Sequence, residues 1–86
     1  MCKVQCRVES GLIPSEAVAY IQIMGGDEEE VTLASSLVAG DTVTVALIHR
    51  ETDRSLIELP RESTTGKWRI WVPNSILQPQ GETACA

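Results

Sequence analysis

The sequence predicts an all-β domain: a compact six-stranded barrel made of two βββ repeats about a pseudo-twofold axis, with a small β-sandwich as the alternative. Three observations predict it. Apolar residues recur at every second position through most of the chain, and no stretch sustains the period of an amphipathic helix. Glycine, proline and small polar residues interrupt that alternation at short intervals, as turns between strands require. The apolar set is rich in Val, Ile, Leu and Ala, has no Phe, and holds only Tyr20, Trp68 and Trp71 as aromatics, which suits a thin aliphatic β core.

Each element follows from this pattern. Cys2, Val4, Cys6 and Val8 share one face of a first strand, with Lys3, Gln5, Arg7 and Glu9 on the other. Gly11 and Pro14 break it. Ala17, Ala19, Ile21 and Ile23 form the next apolar face. Gly25-Gly26-Asp27 supplies a hairpin turn, because glycine tolerates positive φ. Val31 and Leu33 mark a third strand. Ser35-Ser36-Leu37-Val38 reads as a tight turn in which serine oxygens can cap backbone amides.

Gly40-Asp41 opens a fourth strand with Val43, Val45 and Leu47 inward. Thr52-Asp53 turns into Ile57 and Leu59, and Pro60 ends that pairing or sits on an edge. Thr64-Thr65-Gly66 leads into Lys67–Val72, and Pro73-Asn74-Ser75-Ile76-Leu77 closes with a second tight turn.

The chain repeats itself. Residues 31–38 align with residues 70–77, apolar position on apolar position except for Ala34 against Pro73, with Ser36 on Ser75. Val4, Cys6 and Val8 meet Val43, Val45 and Leu47 at the same offset. Ile21 and Ile23 meet Ile57 and Leu59 at a slightly smaller one. Residues 1–78 are therefore expected to form one β domain, with repeat one at about 2–39 and repeat two at about 42–78. Residues 79–86 are expected to be a disordered tail. The repeat further predicts Ile70 and Val72 inward and Trp71 outward, with Lys67, Arg69 and Trp71 on one outer face and Trp68 capping an end of the core.

Two local resemblances stand out. The segment Gly66-Lys67-Trp68-Arg69-Ile70-Trp71-Val72-Pro73-Asn74-Ser75-Ile76-Leu77 resembles the closing strand and 3₁₀ turn of Src-homology-type barrels. Ile76 or Leu77 stands where that family carries an aromatic, and its adjacent tryptophan pair is missing, so no proline-peptide groove is implied. Val31 to Val45 is similar to the strand, turn, Gly-Asp, strand pattern of swapped-hairpin DNA-binding barrels, without that family's helix and basic residues. Neither is adopted as a family assignment.

Charge and cysteine content bound the function. The net charge of −5 arises in residues 1–48, where Lys3 and Arg7 face seven acidic residues. Such a chain is repelled by phosphate backbones, which disfavours nucleic acid as a partner. No run reaches the roughly 20 apolar residues that span a bilayer, and the first residues lack the apolar stretch of a secretion signal. Three cysteines are an odd number. A cytoplasmic location with reduced thiols, and no membrane, is the expectation.

Candidate chemistry is sparse. Cys2, Cys6, Cys85 and His49 match a zinc ligand count, but Cys2 and Cys6 lie roughly 13 Å apart along a strand. His49 ends a strand beside Arg50, Glu51 and Asp53, without a nucleophile in a recognisable setting. Asp27-Glu28-Glu29-Glu30 fits no calcium loop and reads as a solvated hairpin tip. No catalytic residue, metal or cofactor is assigned, and the chain is read as not an enzyme. The functional candidate is a binding surface of Trp71, Arg69, Lys67 and Arg54. An exposed tryptophan among cations suits a non-catalytic protein-interaction or self-association module, possible homodimer included. The alternative is a small barrel that binds single-stranded nucleic acid.

Overall fold

Alternation along the sequence becomes burial in the computed structural model, which describes residues 2–78. Cys2 and Val4 in β1 (Cys2–Gln5) are buried, as are Ala17, Ala19 and Ile21 in β3 (Glu16–Gln22) and Val31 and Leu33 in β4 (Glu28–Ala34). The same holds for Val43 and Val45 in β6 (Thr42–Arg50), Ile57 in β7 (Arg54–Glu58), and Ile70 and Val72 in β8 (Arg69–Pro73). β2 (Arg7–Ser10) continues β1 after a break at Cys6. Two 3₁₀ turns, Ser35–Leu37 and Asn74–Ile76, lead into the short strands β5 (Val38–Ala39) and β9 (Leu77–Gln78). Together the inward side chains form one aliphatic core.

The hairpin between β3 and β4 turns at Gly25 and Gly26, both at positive φ (100° and 93°). Only glycine adopts that conformation without a steric cost from Cβ.

The fold is all-β with two sheets. One runs β8-β7-β6-β1-β9, with β5 also on β6; the other runs β2-β3-β4. The expected closed barrel is not found among the described residues, and the two-sheet sandwich fits. The reason lies at the outer strands. β4 and β8 share no ladder; loop backbone meets their edges instead. Met24 N–H donates to the Trp71 carbonyl (2.9 Å), and Thr64 N–H donates to the Glu30 carbonyl (2.9 Å). Single bonds from each hairpin loop thus stand where a closing ladder would be.

Pairing registers carry a regularity of their own. β1 and β6 are antiparallel, and Val4 faces Val43, its counterpart 39 positions on. Val4 also faces Leu77, and Val43 faces Val38, again counterparts at that offset. Ala19 pairs with Val31 while Ile57 pairs with Ile70. The register therefore sets Ala19 and Ile21 against Ile57 and Leu59, one inward position earlier than sequence alternation suggests.

Two other expectations are corrected. Trp68 does not cap the core: it is 52% exposed, because β8 begins only at Arg69 and strand parity no longer aims the indole inward. The serine turn has no side-chain cap; Ser35 Oγ instead donates to the Pro14 carbonyl (3.2 Å). The expected tail, residues 79–86, and Cys85 with it, lies outside the described residues. Among the described residues, no helix is long and apolar enough to cross a membrane.

Candidate interaction cleft

Strand parity places the side chains of this site. Ile70 and Val72 point into the core, so Arg69, Trp71 and Pro73 of β8 point out. The antiparallel register sets Glu58 opposite Arg69, Leu56 opposite Trp71 and Arg54 opposite Pro73. In β6 the register slips between Leu47 and His49, which brings His49 opposite Leu56. A bulge of this kind re-aims a side chain that regular pleating would direct elsewhere.

The half-buried indole of Trp71 is held from two sides. The Arg54 guanidinium stacks over its ring at 4.2 Å, and the His49 ring stands edge-on, with centroids 6.3 Å apart and planes at 89°. Glu51 ties both neighbours together: Arg54 Nε donates to its Oε1 at 2.9 Å, and His49 Nε2 lies 3.4 Å from its Oε2. The bond from Arg54 keeps the Glu51 carboxyl below its usual pKa. Arg69 Nε meets Glu58 at 3.3 Å. These pairs are solvent-exposed and contribute little to stability; they fix where the cationic groups stand.

Beside this face lies a cleft of about 330 Å³. Its cationic lining is Arg54, Lys67 and Arg69, and its apolar lining includes Trp71 and Ile70. All four residues singled out from the sequence thus line one cleft. Ile23 and Met24, from the far hairpin, complete it. Sequence reading missed both, because Met24 reaches the cleft through a backbone bond to Trp71, 47 positions away in the chain.

A buried carboxylate supports the loop that carries Lys67. Glu29, read from the sequence as part of a solvated tip, is 4% exposed. Its Oε1 accepts a bond from Ser63 Oγ at 2.7 Å and another from Thr65 Oγ1. Ser63 N–H in turn donates to the Lys67 carbonyl at 2.8 Å, and the Ser63 hydroxyl accepts from Lys67 N–H at 3.0 Å. Burial alone would raise the Glu29 pKa, but the two hydroxyl bonds and the nearby Lys67 charge hold it below the ordinary value. Of the other acids in the run, Asp27 and Glu28 are exposed as expected, and Glu30 is half-buried.

Elsewhere the chemistry stays dispersed. Cys2 is buried and Cys6 partly so; burial, aided by Asp41, pushes the Cys6 thiol up to about 11. Among the described residues no three of His, Cys, Asp and Glu converge on a point. A larger cleft of about 570 Å³ lies at the β2–β3 turn, where Glu9 and Glu16 flank exposed Leu12 and Ile13, but it holds no cation and no aromatic ring. Comparison with protein-family models, with curated proteins and with solved structures returns no match, so what the cleft can do is read from its own residues.

Proposed function

We propose that the chain is a non-catalytic interaction module that receives a protein segment in the cleft around Trp71. The observation that carries this reading is the cleft itself. It joins a half-buried tryptophan, apolar side chains from β8 and from the hairpin loop after β3, and three of the chain's seven Lys and Arg residues, with no acidic residue in its lining. Tryptophan and arginine are the residue types that dominate binding energy at protein interfaces, where loss of one costs about 2–4 kcal/mol.

The single-stranded nucleic acid reading has less support. Base stacking needs an open ring face, and Arg54 already lies over Trp71. The net charge of −5 adds long-range repulsion.

A photoreactive amino acid at Met24, on the cleft rim, tests the reading against the same group at Ser36, outside it. Cross-linked protein products are expected from Met24 and not from Ser36, and they should vanish with Trp71→Arg. Products that form equally from both positions, or that survive Trp71→Arg, would remove the cleft from the reading. Light scattering then separates two kinds of partner. A dimer that Trp71→Arg turns into a folded monomer makes the partner a second copy; a native monomer makes it a different chain.

A further inference from the structure

We infer that the chain has a second closed form, a dimer in which two copies exchange everything after Gly40-Asp41, so that β1 to β5 of each copy pack on β6 to β9 of the other. This goes beyond the interaction reading and stands whether or not the cleft receives a partner.

The two halves meet through contacts that need no chain connection. β1 lies along β6, and one aliphatic core draws on both halves. Met24 N–H donates to the Trp71 carbonyl, and Thr64 N–H donates to the Glu30 carbonyl. The Glu29 carboxylate of the first half accepts from Ser63 and Thr65 of the second. The covalent link is short: β5 ends at Ala39 and β6 begins at Thr42. A second copy's β6 to β9 offer the same atoms to β1 to β5, so every one of these contacts forms equally well between copies.

The internal repeat isolates what the turn contributes. β5 pairs with β6 as Val38 on Val43 and Ala39 on Thr42, with Gly40-Asp41 joining them. At the equivalent register β9 pairs with β1, as Leu77 on Val4 and Gln78 on Lys3. β1 and β9 are the first and last described strands, so that ladder forms without a turn joining its strands. The same molecule thus holds one ladder with a turn and its counterpart without. The turn is not what keeps β5 on β6.

The turn also carries a backbone cost. Gly40 sits at φ 63°, a conformation that side chains rarely adopt. An extended hinge releases it, and exchange across a short hinge is a low-cost route to a dimer. The bond from Thr42 Oγ1 to the Ala39 carbonyl (2.8 Å) re-forms between copies. The bond from Cys6 N–H to the Asp41 carbonyl (2.8 Å) is the one that an opened hinge gives up. Each cleft of the dimer would take Ile23 and Met24 from one copy and its cations from the other.

Gly40→Val tests this in the full chain. A Cβ at Gly40 meets nothing within 4 Å beyond its chain neighbours, so the substitution strains the turn and leaves the packing alone. A β-branched residue suits an extended hinge. The native chain, Gly40→Val, and a chain with Gly-Ser-Gly inserted after Gly40 are refolded from urea at millimolar concentration and measured by light scattering. The ratio of dimer to monomer should rise roughly tenfold or more in Gly40→Val and fall below the native ratio in the inserted chain, whose slack turn closes on its own half. Isotope-labelled and unlabelled Gly40→Val chains refolded together should show methyl contacts between Val4 of one chain and Val43 of the other. Trp71→Arg should leave the dimer in place. A dimer whose Val4–Val43 contact stays within one chain, or one that Trp71→Arg dissociates, would overturn the exchange. So would a folded Gly40→Val that stays monomeric at millimolar concentration. If Gly40→Val does not fold, the native chain decides by the same mixed labelling: a contact between chains upholds the exchange, and a native monomer sinks it.

Discussion

Glu29 shows at the scale of a single residue how composition and position can point in opposite directions. An acidic run beside two glycines suggests solvent, yet strand parity turns Glu29 inward, where two hydroxyls receive its carboxylate. A buried carboxylate that accepts such bonds is stabilised in its charged form. Its folded pKa lies below the ordinary value, so the stabilisation is fully present above the unfolded value of about 4.3. It is lost as pH falls through the folded pKa. Glu29→Gln keeps one acceptor but removes the charge and adds an amide that needs its own partners. It should cost about 1–3 kcal/mol at neutral pH. Urea unfolding of both proteins at pH 7 and at pH 3 checks this: the gap should narrow in acid, and a gap of equal size at both pH values would show that charge has no part in it. Alternation puts Glu29 and Glu30 on opposite faces, but the acidic run reads as a solvated tip, so neither the burial of Glu29 nor its partners were legible in the sequence. Ser63 and Thr65 lie 34 and 36 positions away, and local pattern carries no trace of a contact at that separation.

Elements were legible where strand parity governs them and illegible where a strand stops. Ile70 in and Trp71 out follow from a period of two, as do the buried faces of β3 and β4. Trp68 keeps that parity but stands outside β8, so its expected role as a cap fails. The two 3₁₀ turns show how one element can be anchored differently at its two occurrences. Ser35 N–H donates to the Ser15 carbonyl, and Asn74 N–H donates to the Asp53 carbonyl, so both turns dock on the preceding hairpin. Asn74 does more: its Oδ1 accepts from Ser55 Oγ at 2.6 Å, and its Nδ2 donates to the carbonyls of Glu51 (2.8 Å) and Thr52 (3.2 Å). Ser55 is fully buried, so Asn74→Ala strands its hydroxyl and releases the turn that carries Glu51. A cost of about 1–3 kcal/mol is expected. Ser35→Ala loses one exposed bond and should cost about 0.5 kcal/mol. Thermal unfolding of the two variants side by side reads the difference; equal costs would mean that the Asn74 bonds contribute nothing beyond those of Ser35.

For the whole molecule, the question is whether the two repeats expected from the sequence, a first unit at about 2–39 and a second at about 42–78, fold as two bodies or as one. Their registers meet at Val4 and Val43, both fully buried, in the β1–β6 ladder. Each unit also ends in a short strand on the other's first strand: β5 on β6, and β9 on β1. Met24 of the first unit bonds to β8, and Thr64 of the second bonds to β4. One hydrophobic cluster draws on both sheets. A half-length unit cut away from these contacts would expose its whole apolar face, and such a small β unit lacks the buried area to stand alone. The two units should therefore unfold together in one cooperative transition. The distribution of aromatics makes this measurable, since Tyr20 lies in the first unit and Trp68 and Trp71 in the second. Denaturant titrations followed by tryptophan fluorescence, and by fluorine NMR of a fluorotyrosine at Tyr20, should give the same midpoint and slope. If Tyr20 reports an earlier or later midpoint than the tryptophans, the units are separate bodies. The cleft, which takes Ile23 and Met24 from one unit and its cations from the other, would then open before the molecule unfolds. Coincident transitions would instead mean that the cleft persists for as long as the fold does.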